Sequence, residues 1–444
     1  MQRVVPFIVR LFVRWMPDAL AVAILLTFFV VLCAVLLAGY SPARALESWG
    51  DGFWNLLTFT NQITLTFLFG YVVANTPPMQ RALLRTANIA GSPRQAYAMV
   101  ALISGTLALF SWGLSLVSAG LMARAVGESC RKRGIRVHYP LLVASAFSGF
   151  VIWHQGISSS IGLVIATPGH FLENEIGLIG TERTIFTLWN IVTALVVLAV
   201  LPFLMMSLHP HDESQLREID LPPDSVPTAP EKHERVHLTP ARFLDNSPAL
   251  SLPIVAMGVA YILVHFLVRG RGLELNILNF GFLILGIALA GSALRYSELT
   301  IDGGRVAAPF LLQYPFYAGI AGVMADSGLA EMVVQFFARI ADADTLPFFA
   351  FLSGGLLNIF IPSGGGQWAV QGPIMMPAAM EVGADIPRVA MAVALGDQWT
   401  NLIQPLVLIP VITLGGIPAR EFMGYLFAAL LLTGAIFSAA LLLF

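Results

Sequence analysis

FIPSGGGQWAVQGPIMMPAA (360–379) interrupts an apolar segment with a serine, three glycines and two amides, then runs on to a membrane-length helix carrying WTNLIQP (399–405). FSWGLSLVSAGLMARAV (110–126) runs on in the same way to a helix carrying WHQGISSS (153–160). Both read as a helix, a small-residue break, a second short helix, a turn, and a spanning helix broken near its middle. Paired discontinuities in the two halves of a membrane chain point to the binding site of a transporter.

Composition agrees with a chain dissolved in lipid. Of 444 residues 57% are hydrophobic and 11% charged, against roughly a quarter charged in a soluble domain. A formal net charge of −2 leaves no basic face for nucleic acid. Cys33 and Cys130 lie far apart and fit neither a disulfide framework nor a metal spacing. Neither GxSxG nor HExxH is present, so a serine hydrolase or metalloprotease within the membrane is disfavoured and no enzyme activity or cofactor is expected. A channel would need a continuous pore rather than paired hairpins.

Apolar runs of about 20 residues suit membrane spans, and they fall at 18–39, 53–75, 140–169, 183–206, 248–268, 276–294, 305–325, 387–413 and 421–443. The N-terminus reads as an amphipathic interfacial helix, not a cleavable signal, and Arg3, Arg10 and Arg14 place it in the cytoplasm. Arg81, Arg85, Arg94 and the cluster Arg124, Arg131, Lys132, Arg133 and Arg136 also belong inside. Residues 97–123 therefore begin and end on one side, too short for two crossings, and must form a re-entrant hairpin turning near Ser111–Gly113. Residues 345–380 repeat the pattern with a tip at Pro362–Gly366. One unmatched span, 246–274 with its flanks, reverses the second copy. The domains expected are a first inverted repeat (1–206, broken helix 140–169), a cytoplasmic polar linker (207–245), the connecting helix, and a second repeat (275–444, broken helix 387–413). PPMQRALLRTANI (77–89) and GLAEMVVQFFARI (328–340) read as matching interfacial helices. In the linker, His209, His211, His233 and His237 are read as part of a solvated tether, not a metal site. The fold class is thus all-α and polytopic, with inverted repeats, two re-entrant hairpins and two broken transmembrane helices.

A helix broken in the membrane exposes backbone groups that need a ligand or a partner. Ser158, Ser159 and Ser160 sit where the first broken helix restarts, and Gln404 precedes Pro405 at the second restart. His154 and Gln155, and Thr400 and Asn401, flank the breaks. The tips supply Trp112, Ser115 and Ser118 in the first hairpin and a turn of Ser363, Gly364, Gly365, Gly366 and Gln367 in the second. Helix N-termini favour an anion. The ionisable residues His154 and Asp397 are candidates for ion coupling, with Asn358 and Asn401 as oxygen donors. A sodium ion near Asn358, Ser363 and Asn401, or a proton on His154 or Asp397, are both open. No lysine or arginine falls in the predicted site, and Trp112, Phe147, Phe150, Trp153, Trp368 and Trp399 would make it dry. The expected substrate is a small monocarboxylate, with a dicarboxylate or an anion channel as alternatives.

IPSGGGQWAVQGPIMMPAA (361–379), GDQWTNLIQP (396–405) and FSGFVIWHQGISSSIGL (147–163) resemble the bacterial short-chain fatty acid transporter family of acetoacetate and butyrate carriers, and the resemblance extends over nearly the whole chain, from RWMPDAL (14–20) through the linker. It implies a multi-pass protein of the inner membrane, within a superfamily of dimeric elevator-type carriers with a scaffold and a sliding transport domain. Sodium-dependent members of that superfamily carry Ser-Asn-Thr at their hairpin tips. Here the tips read SWGLS and PSGGG, so sodium coupling does not carry over.

Overall fold

The computed structural model describes residues 19–220, 239–361 and 363–444. Residues 1–18 with Arg3, Arg10 and Arg14, expected to form an interfacial helix, the linker residues 221–238 with His233 and His237, and Pro362 lie outside the described residues. Among the described residues all regular structure is helical. Seven segments are long and apolar enough to cross a membrane: Leu20–Leu37, Leu57–Ala74, Tyr139–Val164, Leu188–Ser207, Pro248–Val268, Ala293–Ser327 and Ala419–Leu443. The first and fifth of these are only 17% buried within the chain.

One pair of spans differs from the sequence expectation. The helix beginning at Leu275 stops at Ala290, where Gly291 turns left-handed at φ +81°. Ser292 then caps a new helix by accepting from the Arg295 N–H. That helix runs unbroken for 35 residues, Ala293–Ser327, about 52 Å at 1.5 Å per residue. The charged stretch 297–305 is helical because its charges pair along the surface, Arg295 with Glu298 and Arg305 with Asp302. On the other face Gly303 sits flush on Tyr71 and Leu68 of the helix Leu57–Ala74.

The two hairpins reuse one piece of local geometry. In the first, Pro93–Phe110 and Trp112–Lys132 are separated only by Ser111, extended at φ −156°, ψ 121°. In the second, Leu346–Asn358 is followed by Gly364–Val382, and Ser363 is extended at φ −157°, ψ 115°. Each serine caps the second arm: Ser111 Oγ accepts from the Leu114 N–H and Ser363 Oγ from the Gly366 N–H. The glycines expected to form an open turn, Gly364 to Gly366, are instead the first turn of a helix, because Ser363 supplies the cap immediately before them. The first hairpin also extends beyond 123, so Arg124, Arg131 and Lys132 lie on its second arm.

Both spanning helices after the hairpins are broken. Tyr139–Ser148 tightens into a 3₁₀ turn over Gly149–Gln155, opens at Gly156, and restarts as Ser160–Val164. Ile386–Thr400 tightens over Asn401–Ile403, opens at Gln404, and restarts as Pro405–Gly415. Each first arm meets its broken helix backbone to backbone. A Cβ on Gly149 would lie 2.3 Å from the Gly105 nitrogen, and one on Gly396 would lie 2.3 Å from the Phe351 carbonyl and 2.7 Å from the Gly355 nitrogen. Gly396→Ala is therefore expected to lower the melting temperature of the detergent-solubilised protein, by a destabilisation of about 1–3 kcal/mol or more; an unchanged melting curve would show that this seam yields freely.

The first part of the expected tether is docked. Tyr139 donates its N–H to the Arg217 carbonyl (2.7 Å), Arg131 donates to the Ile219 carbonyl (2.9 Å), and Arg136 pairs with Glu218 (3.1 Å). Ile219 is buried. The Arg217 N–H points at His138 Nδ1 (3.2 Å), whose pKa is pulled down to about 4 by burial, with Arg217 and His209 adding repulsion. A neutral imidazole is the form that can accept this bond.

Candidate functional site

The hairpin tips and the helix breaks converge. The first tip is tied to the first break twice: the Ile157 N–H donates to the Leu109 carbonyl (2.8 Å) and the Trp112 N–H to Ser158 Oγ (3.0 Å). The second tip comes so close to the same break that a Cβ on Gly364 would lie 2.5 Å from His154 Nε2. At the second break, the Asn358 amide donates toward the Asp397 carbonyl, Thr400 Oγ1 and Asn401 Oδ1, each at 2.9 Å. Gln404 donates to the Asn358 and Ile359 carbonyls, so the open end of the first arm is closed by the opened helix.

A cavity of about 350 Å³ occupies this meeting point. Its polar end is made by Ser160, Ser363, Gly364, Gly365 and Asn401, and Trp112, Phe150 and Trp153 form an aromatic side. Trp112 and Trp153 lie 5.7 Å apart, and Trp153 stacks on His154 with ring centroids 3.5 Å apart. The facing wall comes from helices that the sequence reading left out of the site: Ile63 and Phe67, and Arg305, Pro309, Phe310, Gln313 and Tyr314 of the 35-residue helix. Arg305 brings a cation to this wall, away from the tips and breaks. Tyr314 is fully buried and its hydroxyl lies 2.7 Å from Ser363 Oγ. A polar Gln-Tyr pair inside an apolar span was the available signal.

Behind the polar end lies a fully buried ionisable pair. His154 Nε2 is 3.2 Å from Asp397 Oδ2, and both side chains are inaccessible. Ser159 Oγ accepts from the Gly162 N–H, which leaves its proton to donate to His154 Nδ1 at 3.1 Å. A ring proton on Nε2 would face the carboxylate in this arrangement. The Asn401 amide also donates to Asp397 Oδ2 (3.2 Å), whereas Asp397 Oδ1 has no partner among the described residues. Gln398 bridges the halves: it accepts the His154 N–H through Oε1 (2.8 Å) and donates to Gln155 (3.3 Å).

Several candidate residues are spent on the protein itself. Ser115 bonds the Ser104 carbonyl across the first hairpin, Gln155 donates to the Asn190 carbonyl, and Thr400 donates to the Gly355 carbonyl. Gln367 bonds Gly354 and Gln371 while its Oε1 stays unpartnered. Ser118 Oγ is buried without a partner among the described residues. Gly366 packs on the Tyr317 ring. No group of three or more His, Cys, Asp or Glu side chains could hold a metal among the described residues.

The model of the family described as short chain fatty acid transporter matches residues 1–444. This chain belongs to the short-chain fatty acid transporter family. It is 36% identical over 450 residues to a protein of Escherichia coli (strain K12), covering 100% of this chain and 99% of that one. It is 35% identical over 445 residues to a protein of Haemophilus influenzae (strain ATCC 51907 / DSM 11121 / KW20 / Rd), covering 98% of each. Both carry the provisional name of short-chain fatty acid transporter. In three dimensions this family member is similar to the Alcanivorax borkumensis YdaH transporter, with a TM-score of 0.62 at 16% identity over 96% of this chain and 97% of that one. It is also similar to Neisseria gonorrhoeae MtrF, described among antimetabolite efflux pumps, with a TM-score of 0.55 at 15% identity over 98% and 97%. The family is one of transporters, not enzymes, and its members are multi-pass membrane proteins.

Proposed function

We propose that the protein carries small monocarboxylates, such as butyrate or acetoacetate, across the bacterial cytoplasmic membrane by proton-coupled alternating access. The observation that carries this reading is the buried His154–Asp397 pair set directly behind a cavity with apolar walls and one polar end. A short tail suits the aromatic side, and a carboxylate suits the first turn of the helix Gly364–Val382, where N–H groups have no acceptor within the helix. With a neutral imidazole and an ionised Asp397 the pair bears one net negative charge, which costs several kcal/mol at such depth. One proton removes that charge, and one proton with one monocarboxylate makes an electroneutral load. The hairpins are read as re-entrant, the two halves as inverted, the assembly as a homodimer moving by an elevator, and the N-terminus as cytoplasmic.

Sodium is the second reading, favoured by the unpartnered buried oxygens Asp397 Oδ1 and Asn358 Oδ1. Proteoliposomes loaded to impose a proton gradient or a sodium gradient separately decide between them. Butyrate uptake is expected to collapse with a protonophore and to ignore sodium. Uptake driven by sodium alone would replace the proton, and uptake of a dicarboxylate with none of butyrate or acetoacetate would overturn the substrate.

A further inference from the structure

Arg305, Pro309, Phe310, Gln313 and Tyr314 recur at helical spacing and all line the same cavity, so they form one stripe along the 35-residue helix. From Arg305 to Tyr314 the stripe descends about 14 Å at 1.5 Å per residue. Its two ends differ sharply. The Arg305 side chain is 78% exposed, whereas Tyr314 is wholly buried against Ser363 of the second tip. The stripe thus runs from an exposed cation at one end, past proline and phenylalanine, to the polar end at Ser363. Among the described residues Arg305 is the one basic side chain lining the cavity, and it pairs with Asp302, one turn back at 3.6 Å and itself 57% exposed.

We propose that Arg305 is the anion-capture residue of the carrier, and that Asp302 sets how strongly it acts. This rests on the reading that the cargo is a monocarboxylate. An exposed guanidinium above a low-dielectric funnel raises the local concentration of anions and repels cations. The proposal places this interaction in water, so ionic strength is expected to screen it, with a Debye length of about 8 Å at 0.15 M. Arg305 lies too far from the polar end to hold the cargo once it has descended. Its effect falls on capture and so on KM. The maximal rate depends on steps deeper in the protein and stays as it is. The acid at Asp302 opposes capture, so removing each charge moves KM in opposite directions.

The test is initial-rate uptake of radiolabelled butyrate and acetoacetate by proteoliposomes at low and high salt, for the wild type, Arg305→Gln, Arg305→Lys and Asp302→Asn. All three variants alter exposed side chains, and a matching gel-filtration profile checks each fold. Expected at low salt are a KM raised about three- to tenfold in Arg305→Gln, restored in Arg305→Lys, and lowered in Asp302→Asn, with the maximal rate within twofold throughout. The salt dependence of KM is expected to flatten in Arg305→Gln alone. Saturable wild-type uptake with an unchanged KM and salt slope in Arg305→Gln overturns this inference and leaves the substrate reading standing. A KM raised equally in Arg305→Gln and Arg305→Lys, insensitive to salt, would make the residue structural and overturns it too. Absence of any carboxylate uptake by the wild type overturns both.

Discussion

Asp397→Asn is expected to abolish gradient-driven accumulation while leaving exchange of labelled for unlabelled substrate across the same vesicles. Asparagine keeps the shape of the side chain and can still meet Asn401, so the packing around the second break survives. It cannot take up and release a proton. It faces His154 Nε2 at 3.2 Å in a fully buried site, where the amide oxygen can still accept a hydrogen bond, so the loss expected is of coupling and not of the fold. A carrier that has lost its coupling site can still bind cargo and cross loaded, which is what exchange measures. Concentrative uptake by Asp397→Asn equal to the wild type would remove the pair from the coupling mechanism. Loss of exchange together with accumulation would assign Asp397 to cargo binding instead.

The second large effect is expected from one methyl group. Gly364→Ala places a Cβ 2.5 Å from His154 Nε2 and 2.9 Å from the Trp153 ring. Neither ring can retreat freely, since His154 is held by Ser159 and Asp397 and is stacked under Trp153. The tip must lift, and it takes the polar end of the cavity with it. Overpacking of this kind costs about 1–3 kcal/mol, so a loss of tenfold or more in Vmax/KM is expected. Gly304→Ala serves as the control, because its added methyl meets nothing within 4 Å. Equal transport by Gly364→Ala and Gly304→Ala would mean that the tip does not sit against His154 in the working protein.

Much of this arrangement was legible in the chain because breaking a helix in lipid needs residues that are conspicuous there. Serine and glycine at 363–366, the serines at 158–160 and the Gln-Pro step at 404–405 mark the interruptions. His154 and Asp397 stand out as ionisable groups in apolar surroundings, although nothing local says that they face each other across 243 residues. The far wall was hidden for a different reason. Tyr314 and Phe310 lie in a helix that is apolar nearly all round, so its periodicity does not say which face meets the tips. Residues 208–220 have the composition of a tether, yet two of the bonds that hold them are made by their own carbonyls, at Arg217 and Ile219. Side-chain patterns are silent about such bonds. The three glycines were misjudged because a helix start and an open turn use the same residues, and only the serine before them decides which one forms.

The glycine seams at Gly105–Gly149 and Gly355–Gly396 have a mechanical corollary. Where main chain lies against main chain, no side chain is available to swing aside, so neither arm can peel from its neighbour by rotamer changes alone. Each pair behaves as a welded plank, and Gln398 pins the two planks to each other. On the proposed elevator reading this raft is expected to travel as a body, past Tyr314, whose hydroxyl lies 2.7 Å from Ser363 Oγ, and past the helix Leu57–Ala74, against which Gly113 is closely packed.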